Sequence, residues 1–194
     1  MASTISVDEV QNVNDTTLKV PELNKTSTTG GSILGSGGIV QVVYSGEMTA
    51  YHEFSSGSYT QATELDVKIT PKFANSLIWF QGWAKTQKNN TSDNTGLDYQ
   101  IRRYVAADTA KNSTIAGASW QFYLNRSDYT ADMYPVWSVS RFDSPNTTNE
   151  ITYQVWGRIY AGSASSWRIG ETNLNAGVDG ESSRGHTIVM EIAQ

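Results

Sequence analysis

From residue 39 onward, short apolar segments recur between turn residues, and none has the spacing of a long amphipathic helix. That pattern limits the fold more than any other feature of the chain. Leu65, Val67 and Ile69 alternate with Asp66, Lys68 and Thr70. Leu97, Tyr99 and Ile101 alternate with Asp98, Gln100 and Arg102. Ile151, Tyr153, Val155 and Gly157 alternate with Thr152, Gln154 and Trp156. Successive side chains of a strand point to opposite faces, so each segment reads as a half-buried strand.

Other segments are apolar without alternation. Ile39–Tyr44 is rich in β-branched residues, and Leu77–Trp83 is apolar on both sides, which places it centrally in a sheet. Trp120–Leu124, Met133–Phe142, Trp167–Gly170 and Thr187–Ile192 read as further strands. Pro71 and the turn Asp143–Asn146 stop two of the runs, while 88–96 and 106–113 read as polar loops, the second with room for one helical turn. About eight to ten strands at intervals of roughly 8–12 residues predict an all-β fold: a jelly-roll-like antiparallel β-sandwich over 39–194.

Residues 1–38 are different. Val7, Val10, Val13, Leu18, Val20 and Leu23 are scattered among Ser, Thr, Asn and Asp, and a Gly/Ser/Thr-rich linker follows. No helical face is long enough to nucleate. The composition fits either a tail without fixed structure or an extended arm that orders on a partner, with those six apolar residues as anchors.

Composition removes several functions. The chain of 194 residues has no cysteine, so it has no disulfide framework, thiolate metal site or cysteine nucleophile. The N-terminus lacks the pattern of a secretory signal, and no run approaches the ~18 apolar residues of a membrane span. A net charge of −5 argues against nonspecific nucleic-acid binding. In place of charge, the chain carries 22 serines and 21 threonines.

Candidate chemistry is sparse. His52 and His186, without cysteines, fall short of the three or four ligands of a zinc site. There is no Gly-x-Ser-x-Gly elbow and no phosphate loop. Asp98, Asp128, Asp132, Asp143, Glu150 and Glu171 are the acids that a glycosidase pair would draw on, and all read as solvated surface groups. We therefore expect no enzyme, no cofactor and no metal. The six tryptophans carry more information. Most are expected in the core, with Trp83 and Trp156 as the candidates for an oligomer interface.

Three stretches together resemble virion structural proteins of tailed bacteriophages, especially those infecting cyanobacteria. They are Ile69-Thr-Pro71 with Asn75-Ser-Leu-Ile78, then Phe142-Asp-Ser-Pro-Asn-Thr-Thr148 with Ile151-Thr-Tyr-Gln-Val155, and finally Thr187-Ile-Val-Met-Glu-Ile-Ala193. The resemblance spans 39–194. It implies a jelly-roll-like sandwich, usually trimeric, on the outer surface of a phage particle. The leading expectation is a homotrimeric capsid decoration (cement) protein that binds the major capsid protein through its N-terminal arm. The alternative is a receptor-binding tail fibre or appendage joined to tail proteins, whose loops 88–96 and 106–113 touch a host glycan.

Overall fold

The structure, a computed structural model, describes residues 37–89, 95–124, 135–160, 166–170 and 184–194; of the side chains of 89, 95 and 118–124 nothing is described. The proposed anchors Val7, Val10, Val13, Leu18, Val20 and Leu23 lie outside the described residues.

Among the described residues eleven strands form: β1 (Ile39–Tyr44), β2 (His52–Phe54), β3 (Thr60–Gln61), β4 (Val67–Ile69), β5 (Leu77–Asn89), β6 (Thr95–Tyr104), β7 (Ser113–Leu124), β8 (Val136–Asp143), β9 (Ile151–Tyr160), β10 (Ser166–Ile169) and β11 (Gly185–Ile192). Every pairing is antiparallel. One sheet runs β1-β11-β5-β10-β2 with β8 also on β5, and the other runs β3-β9-β6-β7 with β4 also on β9.

Several of these strands share a column. Lys85 shows the seam: its N–H donates to the Arg184 carbonyl, and its own carbonyl accepts from Gly170 N–H. Strands β10 and β11 therefore sit end to end on one edge of β5, with β2 and β1 beyond them. In the same way β3 and β4 share one edge of β9, separated by the 3-10 turn Thr63–Leu65. Counted by column, the chain is a long hairpin rolled into two sheets. The first column (β1, β2) pairs with the last (β11, β10), the second (β3, β4) with β9, β5 with β8, and β6 with β7. That is jelly-roll connectivity.

The core lies between the sheets. Ile78, Phe80 and Ala84 of β5, Val189 of β11 and Trp137 of β8 face Leu97, Ile101, Ile151, Tyr153 and Val155. Glycines leave room for the largest rings. A Cβ on Gly157 would come within 2.6 Å of the Phe54 ring, and one on Gly82 within 2.5 Å of Trp137.

Two buried polar clusters tie the layers and their edges. Glu191 is fully buried, and its carboxylate accepts from the Lys72 and Phe73 N–H groups (2.8 and 3.1 Å), Ser76 Oγ (2.6 Å) and Gln41 Nε2 (2.6 Å). A buried carboxylate is tolerated only when its lone pairs are met, as here. At the other edge, Asp143 of β8 accepts from Arg103 of β6 (2.6 Å) and Tyr153 of β9 (2.8 Å), which links one sheet to the other. Burial first, then the Asp143 carboxylate, pushes the Tyr153 hydroxyl far above the usual phenol range.

Three expectations need correcting. Asp98 and Asp143 are not solvated: Asp98 is fully buried and the Asp143 side chain nearly so. Most tryptophans were expected in the core, yet of those with described side chains only Trp137 and Trp167 are there. The short strands β2 and β3 fall where no strand is predicted, because two or three residues carry too little periodicity to register.

Candidate functional site

The molecule has two outer faces, and they differ. On β5 the even-numbered residues from Ile78 to Lys88 point inward and the odd ones outward. The outward set includes Leu77, Trp79 and Trp83. Register places Met190 of β11 and Phe142 of β8 on either side of Trp79, and Ile192 beside Leu77. On the next column, Val42 and Tyr44 lie beside Met190 and Ile188. An antiparallel sheet with one face in water ordinarily alternates apolar-in with polar-out. Here the outward positions of β1, β11 and much of β5 are apolar as well. Val42 and Phe142 are each 57% exposed. Trp79 and Phe142 stack at 5.4 Å, and the Trp79 indole N–H donates to Ser140 Oγ at 2.8 Å.

This face ends toward β10. There Arg168 donates to Glu53 at 2.8 Å and lies over the Tyr51 ring. Trp83 is at the margin of the apolar area, 6.0 Å from the His186 ring. With Gln81, Ser138 and Ile188 they edge a shallow concavity of about 280 Å³. The His186 ring also meets Tyr44 edge-on at 5.4 Å. Tyr44 donates to Glu47, and that bond, more than burial, pushes its hydroxyl up to about 12.

Among the described residues, the outer face of β9 and β6 is polar. Arg158 pairs with buried Asp98 through Nε at 3.0 Å and Nη2 at 2.9 Å, which strengthens its hold on its proton. Arg102 lies 4.2 Å over the Trp156 ring and 5.5 Å from that of Tyr59; Arg158 lies 4.7 Å over Tyr59. Gln100 Oε1 accepts from Arg102 Nε and Nη2, and Gln154 Oε1 accepts from Trp156 Nε1. Asp66, at the edge of this face, accepts from Gln61. Burial raises its carboxyl to about 6 against that hydrogen bond.

Trp83 and Trp156 therefore face outward as expected, but from opposite sheets, so they do not form one patch. The signal that places them is strand phase. The signal overlooked is that Trp79, Met190, Val42 and Phe142 share the Trp83 side.

No catalytic constellation forms among the described residues. His52 packs edge-on against Phe54 at 4.8 Å, and burial lowers its pKa. His186 Nδ1 lies 3.4 Å from Glu47 Oε1 without hydrogen-bond geometry. Asp98 and Asp143 are each committed to an arginine, and Glu150 is an exposed partner of Lys68 at 3.6 Å. Asp128, Asp132 and Glu171 lie outside the described residues. No group of three His, Cys, Asp or Glu that could hold a metal ion occurs among the described residues. The Tyr153–Asp143–Arg103 cluster is buried and self-satisfied, which suits a structural tie.

No family model and no curated protein matches this sequence. Among solved structures, the chain is similar to the VP2 protein of infectious bursal disease virus. In the VP2 subviral particle the identity is 10%, with 81% of this chain and 38% of that chain covered, at a TM-score of 0.37. The Gt strain structure of the same virus gives 12% identity, 82% and 38% coverage, and a TM-score of 0.33. The chain thus spans less than two fifths of the length of these relatives in structure.

Proposed function

We propose that this chain is a non-enzymatic structural protein of a tailed-phage particle, a homotrimeric decoration protein on the outside of the shell. The observation that carries this reading is the apolar outer face of the β1-β11-β5-β8 sheet. Its apolar part is the row Val42, Met190, Trp79 and Phe142 with the neighbouring Leu77, Ile192, Ile188 and Tyr44; Gln81, Ser138 and Ser140 interrupt it toward β8. A patch of this kind left in water marks a surface that another protein covers.

The N-terminal segment has a place in the same reading. It enters the sandwich at Gly37, whose N–H donates to the Ala193 carbonyl beside β1, the edge strand of the apolar sheet. Thirty-six residues can reach at most about 120 Å, enough to cross onto a shell subunit or a neighbouring copy. The apolar anchors from Val7 to Leu23 would hold there, and three arms per trimer multiply the effect through effective concentration. The phage assignment itself leans on the sequence resemblance over 39–194.

The test is copy number per particle, by quantitative mass spectrometry of purified virions against the major capsid protein. A number that scales with shell subunits supports decoration. A small number matching tail symmetry overturns it in favour of a fibre or appendage. A chain lacking residues 1–38 that binds shells unchanged would remove the arm from the account.

A further inference from the structure

The polar face holds a groove of about 400 Å³, walled by Arg102, Tyr104, Asn112, Thr114, Gln154 and Trp156. It stands apart from the apolar face and from the assembly reading. A register shift makes room for it: Ile101 pairs with Ala116 but Arg102 with Thr114, so Ile115 is an extra residue on β7. Bulges of this kind re-aim neighbouring side chains.

The hydrogen-bond inventory sets the character of the groove. Asn112 Oδ1 accepts from Val105 N–H at 2.7 Å, and Gln154 Oε1 accepts from the Trp156 indole at 3.1 Å. Behind Arg102, Gln100 Oε1 accepts from the guanidinium at 3.0 and 2.8 Å. Main-chain N–H, indole and guanidinium groups only donate, so each amide has one possible orientation. The oxygens are used inside the protein, and among the described residues the NH₂ groups of Asn112 and Gln154 have no hydrogen-bond partner. Arg102 adds charge. Arg158 has Asp98 and Lys68 has Glu150, whereas no carboxylate among the described residues pairs with Arg102. Its guanidinium carbon lies 4.2 Å over the Trp156 ring, and among the described residues Nη1 has no hydrogen-bond partner. Tyr104, 43% exposed, offers a ring at the rim. The site is rich in donors, carries no acid in its walls and includes aromatic rings.

We propose that this groove binds an anionic saccharide, a sugar bearing a carboxylate. The carboxylate sits on the Nη1–Nη2 end of Arg102, whose Nε side Gln100 already takes, ring oxygens accept from the Asn112 and Gln154 amides, and the C–H face of the sugar lies on the Tyr104 ring. Charge-assisted, forked recognition of a carboxylate is what arginine does best.

The test uses the full chain and isothermal titration with tri-galacturonate, with maltotriose as the neutral control and inorganic sulfate as the bare-anion control. Saturable binding of the uronate, with maltotriose and sulfate each at least roughly tenfold weaker, is the expected result. Arg102→Ala should weaken binding by roughly tenfold or more, and Arg102→Lys by less, since it keeps the charge and loses the fork. Gln154→Glu replaces a donor by a like charge and should abolish binding; thermal melts confirm that each variant folds. Absence of uronate binding, equal binding of maltotriose or sulfate, or full affinity in folded Arg102→Ala and Gln154→Glu would each overturn the proposal.

Discussion

The two outer faces of this sandwich share one backbone plan and almost nothing else. Both are antiparallel sheets with the same alternation, and both turn apolar residues inward. On the described part of the β9-β6 face, outward residues pair with one another: Asp98 with Arg158, Gln100 with Arg102, Gln154 with Trp156, and guanidinium carbons over aromatic rings. On the β1-β11-β5-β8 face, Val42, Met190, Leu77, Ile192 and Phe142 have no such partners to find, and their free energy is gained only when something covers them. One face is polar and largely paired within the monomer, and the other is apolar. An outward aromatic therefore does not by itself mark an apolar interface: Trp156 lies among polar groups, under Arg102 and bonded to Gln154, whereas Trp79 and Phe142 stack beside Met190.

The comparison assumes that the sheets are locked together, and the strongest way to break it is to unlock them. Asp143→Ala removes the carboxylate that joins β8 to Arg103 and Tyr153, leaving the Arg103 guanidinium without its charge partner, held only by the Lys111 carbonyl, and the buried Tyr153 phenol without its acceptor. Breaking a buried pair in this way costs about 3–5 kcal/mol, read as a lower denaturant midpoint with an unchanged slope. A cost near zero would mean that water already reaches this edge.

Next comes the apolar face. Trp79→Glu places a charge between Met190 and Phe142, and if copies of the chain meet there it should weaken self-association by at least about 2 kcal/mol, or roughly thirtyfold. Analytical ultracentrifugation reads this directly. Trp156→Glu, on the other face, should leave the oligomer unchanged. Equal effects from both would erase the distinction between the faces.

A smaller effect is expected inside the polar face. Asp98→Asn keeps the shape but leaves Arg158 without its charge partner. A charge-assisted hydrogen bond contributes about 1.5–3 kcal/mol, discounted here because Arg158 is partly in water, so a loss of about 1–2 kcal/mol in chemical denaturation is expected. No loss would mean that the pair is a solvated contact.

Much of the architecture was legible in the sequence because one-sided burial writes itself as period two. The segments around Val67, Ile101 and Val155 are strands whose apolar positions face inward as their alternation implies, except that Leu65 falls in the 3-10 turn and the polar Asp98 is buried with Arg158. The column sharing was not legible: β10 and β11 form one column because both pair with β5, meeting at Lys85, whose partners Gly170 and Arg184 lie far from it in the chain. Nor was the role of the residues that carried the family resemblance. Glu191 sits in the third stretch, and its carboxylate caps the turn 71–76 from the first. Asp143 and Tyr153, both in the second, bond to each other. These residues serve the frame of the fold, which explains why they suggested a class of protein and no chemistry. The Arg102 groove was equally hidden, since its donor surplus depends on which amide oxygens are already taken.

The smallest expected effect tests how self-contained the polar face is. Asp66 holds a proton up to about 6 in the fold, against an ordinary 3.8, because burial outweighs the Gln61 hydrogen bond. One of its oxygens, Oδ1, has no hydrogen-bond partner. A raised acid pKa means that the folded state binds the proton more tightly than the unfolded state. Its contribution to stability is therefore full below about pH 3.8 and is lost as pH rises through about 6. Because the carboxyl is only partly shielded from water, the difference is about 1 kcal/mol, a few degrees in Tm. Asp66→Asn cannot ionise and still offers an oxygen to Gln61. Its Tm should exceed that of the parent at pH 7 and converge with it, or fall below, near pH 4. The difference between the two proteins, rather than either profile alone, isolates this carboxyl from the other acids. A constant difference across that window would mean that Asp66 titrates as a solvated group, and the polar face would then be open to water at its Gln61 edge.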